Sequence, residues 1–380
     1  MITLILLTFS LVSVYSFVPI LVKIEGGTPF KYLFKHLIYV ILGFITMFWI
    51  HRKDPAYFSK FARLMFYASI LLLLFTFFFG TKVNDAGRWI RIPFVGLTFQ
   101  SSDFAKLGLI VYLSRLLVKK KEYFSSWKAG FWPIMFPIIV ICGLIFKDNF
   151  STAFLLFCIS FLLLIIGKFP FTKMLAAIFG GIALAGLVVL LHLSLPSANI
   201  LPRFDTWKNR LTNRYDNENK QGQDQNIQAN AQALNAELAI FNGGLFGQGV
   251  GDGKLKEYLP EAYADFYFSS FVEEFGSLSA IILILLYCIL LFRIIRIGLR
   301  SDKLFETYLC IGIGILLLTQ ATVNMMVCTR IFPVTGQNMP LLAMGGSALI
   351  MTCLAIGMVQ SIAYKQTKQT KSEEQPDDIT

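Results

Sequence analysis

The chain has 380 residues, 56% of them hydrophobic and only 15% charged. A soluble globular domain carries about 25% charged residues, and a disordered chain lacks long apolar runs, so both classes are excluded. The 34 basic against 23 acidic residues give a net charge of +11, but the basic residues lie between apolar stretches long enough to cross a bilayer, which makes the excess a topology signal and not a nucleic-acid footprint.

A helix needs about 20 apolar residues to cross a bilayer. In chain order, spans are predicted at residues 2–22, 33–50, 64–79, 104–118, 131–146, 150–167, 174–195, 271–292, 305–327 and 341–364. The first has no basic residue ahead of its apolar core and is followed by many more spans, so it reads as a retained helix and not a signal peptide. The fifth and sixth are separated only by Lys147, Asp148 and Asn149, the polar tip of a tight helical hairpin. The expected class is an all-α polytopic membrane protein with ten transmembrane helices in one domain, residues 1–364. Residues 365–380 (KQTKQTKSEEQPDDIT) are expected to form a disordered cytoplasmic tail.

An even number of spans puts both termini on one side. Arg52, Lys53, Lys60, Arg63, Arg115, Lys119 to Lys121, Lys128, Lys168, Lys173, Arg293, Arg296, Arg300 and Lys303 share that side with the C-terminal lysines, and the opposite short loops are poorer in Lys and Arg. The positive-inside rule makes that side cytoplasmic. Residues 196–270 then form a long extracytoplasmic loop between helices seven and eight. Its Asn/Gln-rich tract 217–232 reads as a mobile insert.

Six cysteines all lie in apolar runs without CxxC spacing, and His36, His51 and His192 are far apart, so neither a redox pair nor a zinc site is indicated. More informative are polar groups where a bilayer makes them costly. Asp103 and Lys106 stand at i and i+3 on one face of the fourth helix. They are either a self-neutralising pair or a cation lining an outward polar cleft. Arg88 and Arg91 bracket Trp89 just before this helix and would share a face if the stretch were helical; they serve either as interfacial anchors or as a phosphate-binding pair. The glycines of NGGLFGQGVGDG (residues 242–253) lack a GK[ST] ending, so they read as a tight turn allowing close backbone approach to a ligand, not as a nucleotide loop. Asp265 sits at the edge of the eighth span, as a helix N-cap or as a desolvated carboxylate suited to general-base work. Glu273 and Glu274 lie deeper in that span and suggest a polar seam.

Four ordered blocks carry a family resemblance: GRWIRIPFVGLTFQSSDFAKL from Gly87, FNGGLFGQGVG from Phe241, LPEAYADFYFSSFVEEFG from Leu259 and FPVTGQNMPLLAMGGSALI from Phe332. They are similar to the signatures of the SEDS (shape, elongation, division and sporulation) proteins, the FtsW/RodA/SpoVE group of peptidoglycan polymerases, and the FPVTGQ and DTWKNR stretches are most similar to the FtsW branch. The resemblance implies a ten-helix fold with a long outer loop after helix seven. It implies a glycosyltransferase polymerising lipid II at the outer face of the bacterial cytoplasmic membrane, at the division septum, beside a cognate class B penicillin-binding protein and other divisome proteins. By position, Asp265 falls on the family's catalytic carboxylate. Lys106, Arg88, Arg91, Arg210, Gln232 and Glu274 fall on or near positions for substrate binding, with a divalent cation (Mg or Mn) as possible helper and membrane lipids as surroundings. The chain departs from the family pattern at Tyr263, Ala264, Ser101, Asp103, Asn149 and Ala343. A lipid II flippase, an elongation polymerase and a non-enzymatic division scaffold are the alternatives.

Overall fold

A computed structural model describes residues 1–83, 86–91, 98–194, 224–259 and 262–374. Its helices in chain order are α1 (Ile2–Glu25), α2 (Pro29–Ile50), α3 (Pro55–Phe79), α4 (Ser101–Lys119), α5 (Trp132–Phe146), α6 (Phe150–Ile166), α7 (Phe171–Ser194), α8 (Asp224–Gly243), α9 (Tyr267–Leu299), α10 (Leu304–Cys328) and α11 (Gly346–Glu374). The starts follow local chemistry. Pro29 and Pro55 occupy first helical positions, where a missing N–H costs nothing. Asp54 accepts from Ala56 N at 2.9 Å, and Asn149 accepts from Thr152 N at 3.1 Å to cap α6 after the tight hairpin expected at Lys147 to Asn149.

Eight helical regions are long and apolar enough to cross a membrane. Of the ten predicted spans, the two outside that set are α6, apolar but short, and α4, which carries Asp103, Lys106, Arg115 and Lys119. Burial explains α4. It packs against α3, α5, α6, α10 and α11, and nearly all of its residues from Ser101 to Leu117 are buried, so it needs little lipid-compatible surface. Lipid tails are as apolar as leucine, so packing between membrane helices relies on close van der Waals approach. Glycines supply it: a Cβ at Gly43 would overlap Leu349 of α11, one at Gly108 would overlap Ser69 of α3, and one at Gly312 would overlap Ile110 of α4.

One condition left open by the sequence is resolved, and two expectations are corrected. The segment holding Arg88 and Arg91 is not helical: β1 (Thr81–Val83), β2 (Ala86–Arg91) and β3 (Thr98–Gln100) form a small antiparallel sheet in which Trp89 pairs with Gln100 and Arg91 with Thr98. The Asn/Gln-rich tract is helical from Asp224 onward, because α8 packs along α9 and α10 and buries Ala236 and Ala239. The last helix runs to Glu374, ten residues past its expected end, so the start of the presumed unfolded tail is helical. Lys365 stabilises that extension by pairing with Glu306 at 3.2 Å.

Candidate functional site

Between α10 and α11 the chain crosses the protein without helix from Phe332 to Gly345. Non-helical backbone at membrane depth is tolerated where it is buried in protein or lines a cavity, and this strap does both. Asn324 Nδ2 donates to Gln337 O at 2.8 Å, Ser10 Oγ to Leu342 O at 2.8 Å, and the Tyr287 hydroxyl to Pro340 O. Gln337 Nε2 donates to Thr152 Oγ1 at 2.7 Å, and Met344 N to Tyr263 O at 2.9 Å. Five elements therefore fix the strap.

It bounds a small polar cleft, lined among others by Gln100, Asp103, Lys106, Gln320, Gly336 and Asn338. Lys106 Nζ lies 2.8 Å from Asp103 Oδ1, with side chains 10% and 6% exposed. Ser347 Oγ donates to Asp103 Oδ2 at 3.1 Å, and Gln100 N donates to Ser347 Oγ at 3.0 Å. The pair expected at i and i+3 thus exists, and it also lines the cleft: the two sequence readings are compatible. Asp103 holds the ammonium in place at the wall and offsets its charge there.

Asp265 is on the turn before α9, half-buried between buried Ala264 and Phe266. It is not the helix N-cap; Phe266 occupies that position. Asn324 Nδ2 donates to Asp265 O at 2.9 Å, and Asn324 Oδ1 accepts from Phe268 N at 3.3 Å, so one buried amide sets both the turn and the strap. Gly336, with φ +71, is the shared wall. It lines the cleft beside Lys106, and a Cβ built on it would stand 3.5 Å from Asp265 Oδ2. The arrangement offers a carboxylate that can accept a proton and, across a side-chain-free backbone step, a positioned cation.

The remaining expected residues divide. The backbone of Arg88 and Arg91 is tied by β3 to the start of α4. Arg210 lies outside the described residues. Gln232 stands half-buried on α8 and is not among the residues lining the cleft.

Glu274 is corrected. Its Oε1 accepts from Lys256 Nζ, from Ser16 Oγ of α1 and from Gly251 N at 3.3 Å. The neighbouring Glu273 accepts from Asn242 Nδ2 and Leu255 N, both at 3.0 Å, and from Lys256 N at 3.2 Å. Both carboxylates are buried and hold the glycine-rich loop on the protein. Those glycines serve the same packing: a Cβ on Gly243 or Gly247 would overlap the carbonyl of Val272 or Glu274. The close backbone approach expected there is to α9, not to a ligand.

Asn324, Gln337, Thr152 and Ser347 were missed as organisers. Asn324 did carry a signal, as an amide in the middle of an apolar span. Among the described residues, no three His, Cys, Asp or Glu side chains converge as a metal site would require.

The family model for FtsW/RodA/SpoVE, described as cell cycle protein, matches residues 1–368. A probable peptidoglycan glycosyltransferase FtsW of Trichlorobacter lovleyi is 30% identical over 362 residues, 94% of this chain and 90% of that protein. One of the same description from Coxiella burnetii is 31% identical over 374 residues, 96% and 94% of the two chains. Among solved structures, a chain of a peptidoglycan synthase complex that coordinates polymerization and crosslinking superimposes with a TM-score of 0.70 at 21% identity, covering 96% of this chain and 97% of that one. The rod shape determining protein RodA of Thermus thermophilus superimposes with a TM-score of 0.61 at 21% identity, covering 96% of each chain.

Proposed function

The chain belongs to the FtsW/RodA/SpoVE family of cell cycle proteins, and on that premise we propose that it is a multi-pass peptidoglycan glycosyltransferase that polymerises lipid II into glycan strands during division. The observation that carries the reading is the Asp265 carboxylate set against Gly336, the glycine that also walls the Lys106 cleft. In this reading α4 and α6 complete a set of ten spans, both termini are cytoplasmic, and the 196–270 loop with the cleft mouth faces outward.

The reaction is an inverting glycosyl transfer. Asp265 takes the proton of the acceptor sugar's C4 hydroxyl. That oxygen forms a bond to the donor's anomeric carbon while the bond from this carbon to the diphosphate oxygen breaks, and undecaprenyl diphosphate leaves with the electron pair. Preorganised cations lower the barrier most where charge develops. Lys106 fills that role in the cleft, held by Asp103 against swinging away, and Arg88, Arg91 and Arg210 are proposed to add diphosphate contacts from the outer side. Gln232 is proposed to contact substrate from α8; Glu274 is withdrawn from the substrate set because it is buried and its Oε1 is bound by Lys256, Ser16 and Gly251 N. A divalent Mg or Mn ion would enter bound to the diphosphate, and the roles above are derived without it. The product strand requires crosslinking, so a class B penicillin-binding protein is the proposed partner, with other division proteins at the septum.

The test supplies labelled lipid II to the protein purified with its class B penicillin-binding protein. Wild type is expected to yield glycan strands and Asp265→Asn none. Strands of equal length from both would overturn the assignment. Lipid II translocation in liposomes that survives Asp265→Asn, without polymerisation by wild type, would favour a flippase.

A further inference from the structure

The glycine-rich loop contributes nothing to the cleft, yet it holds large apolar side chains in the open. Phe241 is 86%, Leu245 69% and Phe246 81% exposed. Leu234 and Leu238 of α8 are exposed as well, and positions 234, 238 and 241 share one helix face. The opposite face buries Ala236 and Ala239. α8 is therefore amphipathic in the structure, with an exposed apolar side that no other described residue covers and that continues into the loop.

The depth of this patch is fixed by backbone. Ser277 N donates to Gly244 O at 2.9 Å, Leu278 N to Leu245 O at 3.2 Å, and Gln248 N to Glu273 O at 2.9 Å. The patch cannot move independently of α9 near its Gly276 kink. Gly276 is non-helical, so the continuous part of α9 starts at Ser277, and from there to Arg293 it rises roughly 24 Å at 1.5 Å per residue, against a hydrocarbon core of about 30 Å. Arg293 and Arg296 mark one boundary of its apolar stretch. The Gly276–Leu278 step therefore lies just inside the opposite boundary, within about 6 Å of it. Leu278, Ile281, Ile282 and Leu285 form the exposed apolar side of α9 that begins there, and Leu245 and Phe246 extend it.

We propose that Phe241, Leu245 and Phe246 insert into the lipid leaflet on the long-loop side, so that α8 lies in the bilayer interface and fixes the height of the outer loop. The occupant is lipid because the patch is continuous with a bilayer-facing surface and sits at the edge of the hydrocarbon, where amphipathic helices bury their apolar face. The inference does not depend on the catalytic reading.

The experiment places the photoreactive p-benzoylphenylalanine at 241 or 246, replacing phenylalanines, or at 252, replacing the exposed Asp252 of the same loop. The full chain is reconstituted in nanodiscs of radiolabelled phosphatidylcholine and irradiated. Lipid label on the 241 and 246 variants, well above the 252 variant, is expected. The exposed positions leave packing intact, which an unchanged thermal unfolding midpoint checks. Lipid label no higher than at 252, or capture of a second protein chain in place of lipid, would overturn the proposal.

Discussion

Among the described residues, two buried lysine–carboxylate clusters do opposite things. Lys106 and Asp103 meet at 2.8 Å on α4, and the surrounding wall, with Gln100, Gln320 and Asn338, opens onto a cleft. Lys256 and Glu274 meet where the glycine-rich loop crosses α1, with side chains 3% and 2% exposed, and Ser16 and Gly251 N also bind Glu274 Oε1 beside the Glu273 network. As sequence, the two give the same signal, a charge where apolar surroundings make it costly. The difference is what the charges have left over: one pair faces space, while the other is consumed by its own protein. Burial of charge indicates function here only when it comes with an opening.

This contrast predicts which substitutions affect chemistry and which affect stability. The largest effect is expected at the cleft. Asp265→Asn should lower glycan synthesis by at least the ~10²–10⁴-fold typical of losing a general base, with the thermal midpoint unchanged; polymerisation rate and unfolding are measured on one preparation. Next is the closed cluster. Lys256→Met removes the cation paired with the buried Glu274 carboxylate, leaving it neutral donors from Ser16 and Gly251, and breaking a buried pair costs about 3–5 kcal/mol, read as a lower unfolding midpoint in detergent. Gly247→Ala, at φ +83 against the Glu274 carbonyl, should destabilise the same loop. If Lys256→Met instead spared stability and abolished synthesis, the distinction between the clusters would be lost.

Much of this was legible in the sequence because bilayer physics constrains it. The helices at residues 2–25, 150–166 and 304–328 fall within a few residues of expectation, since an apolar run of fixed length has few other fates. The cleft was half legible: Asp103 and Lys106 sit on one helix, where spacing alone brings them together. What was not legible depends on contacts across the chain. Glu274 and Lys106 were placed in one substrate set, because nothing local reveals that Ser16, more than 250 positions away, accepts from Lys256 and donates to Glu274. Pro333, Gly336 and Pro340 kept residues 328–340 out of the predicted spans, but the path of the strap was not legible; its shape comes from Asn324, Tyr287 and Ser10, each on a different helix. For Arg88 and Arg91 the sequence left open whether the stretch is helical, and strand pairing decided it.

A smaller effect on stability separates the clusters further. Lys106→Met leaves Asp103 its Ser347 bond and an open cleft through which water can reach it. The cost should fall to the ~1–3 kcal/mol of one lost partner, below that of Lys256→Met, while synthesis drops sharply. Equal destabilisation by the two lysine substitutions would show that the cleft is as closed as the loop.

The smallest effect is expected at Gly336. Its φ of +71 belongs to the left-handed region, where an L side chain costs roughly 1–2 kcal/mol. Unlike Gly247, it has room: the added methyl would meet only Asp265 Oδ2, at an ordinary contact distance of 3.5 Å. Gly336→Ala should therefore fold with a slightly lowered midpoint, yet reduce polymerisation by more than that loss explains, because the methyl group stands between the carboxylate and the cleft. Gly247→Ala should show the reverse, a larger fall in midpoint with the activity of the surviving folded fraction retained. Measuring both glycine variants for midpoint and for rate per folded molecule separates a wall that shapes a reaction from one that only closes a loop.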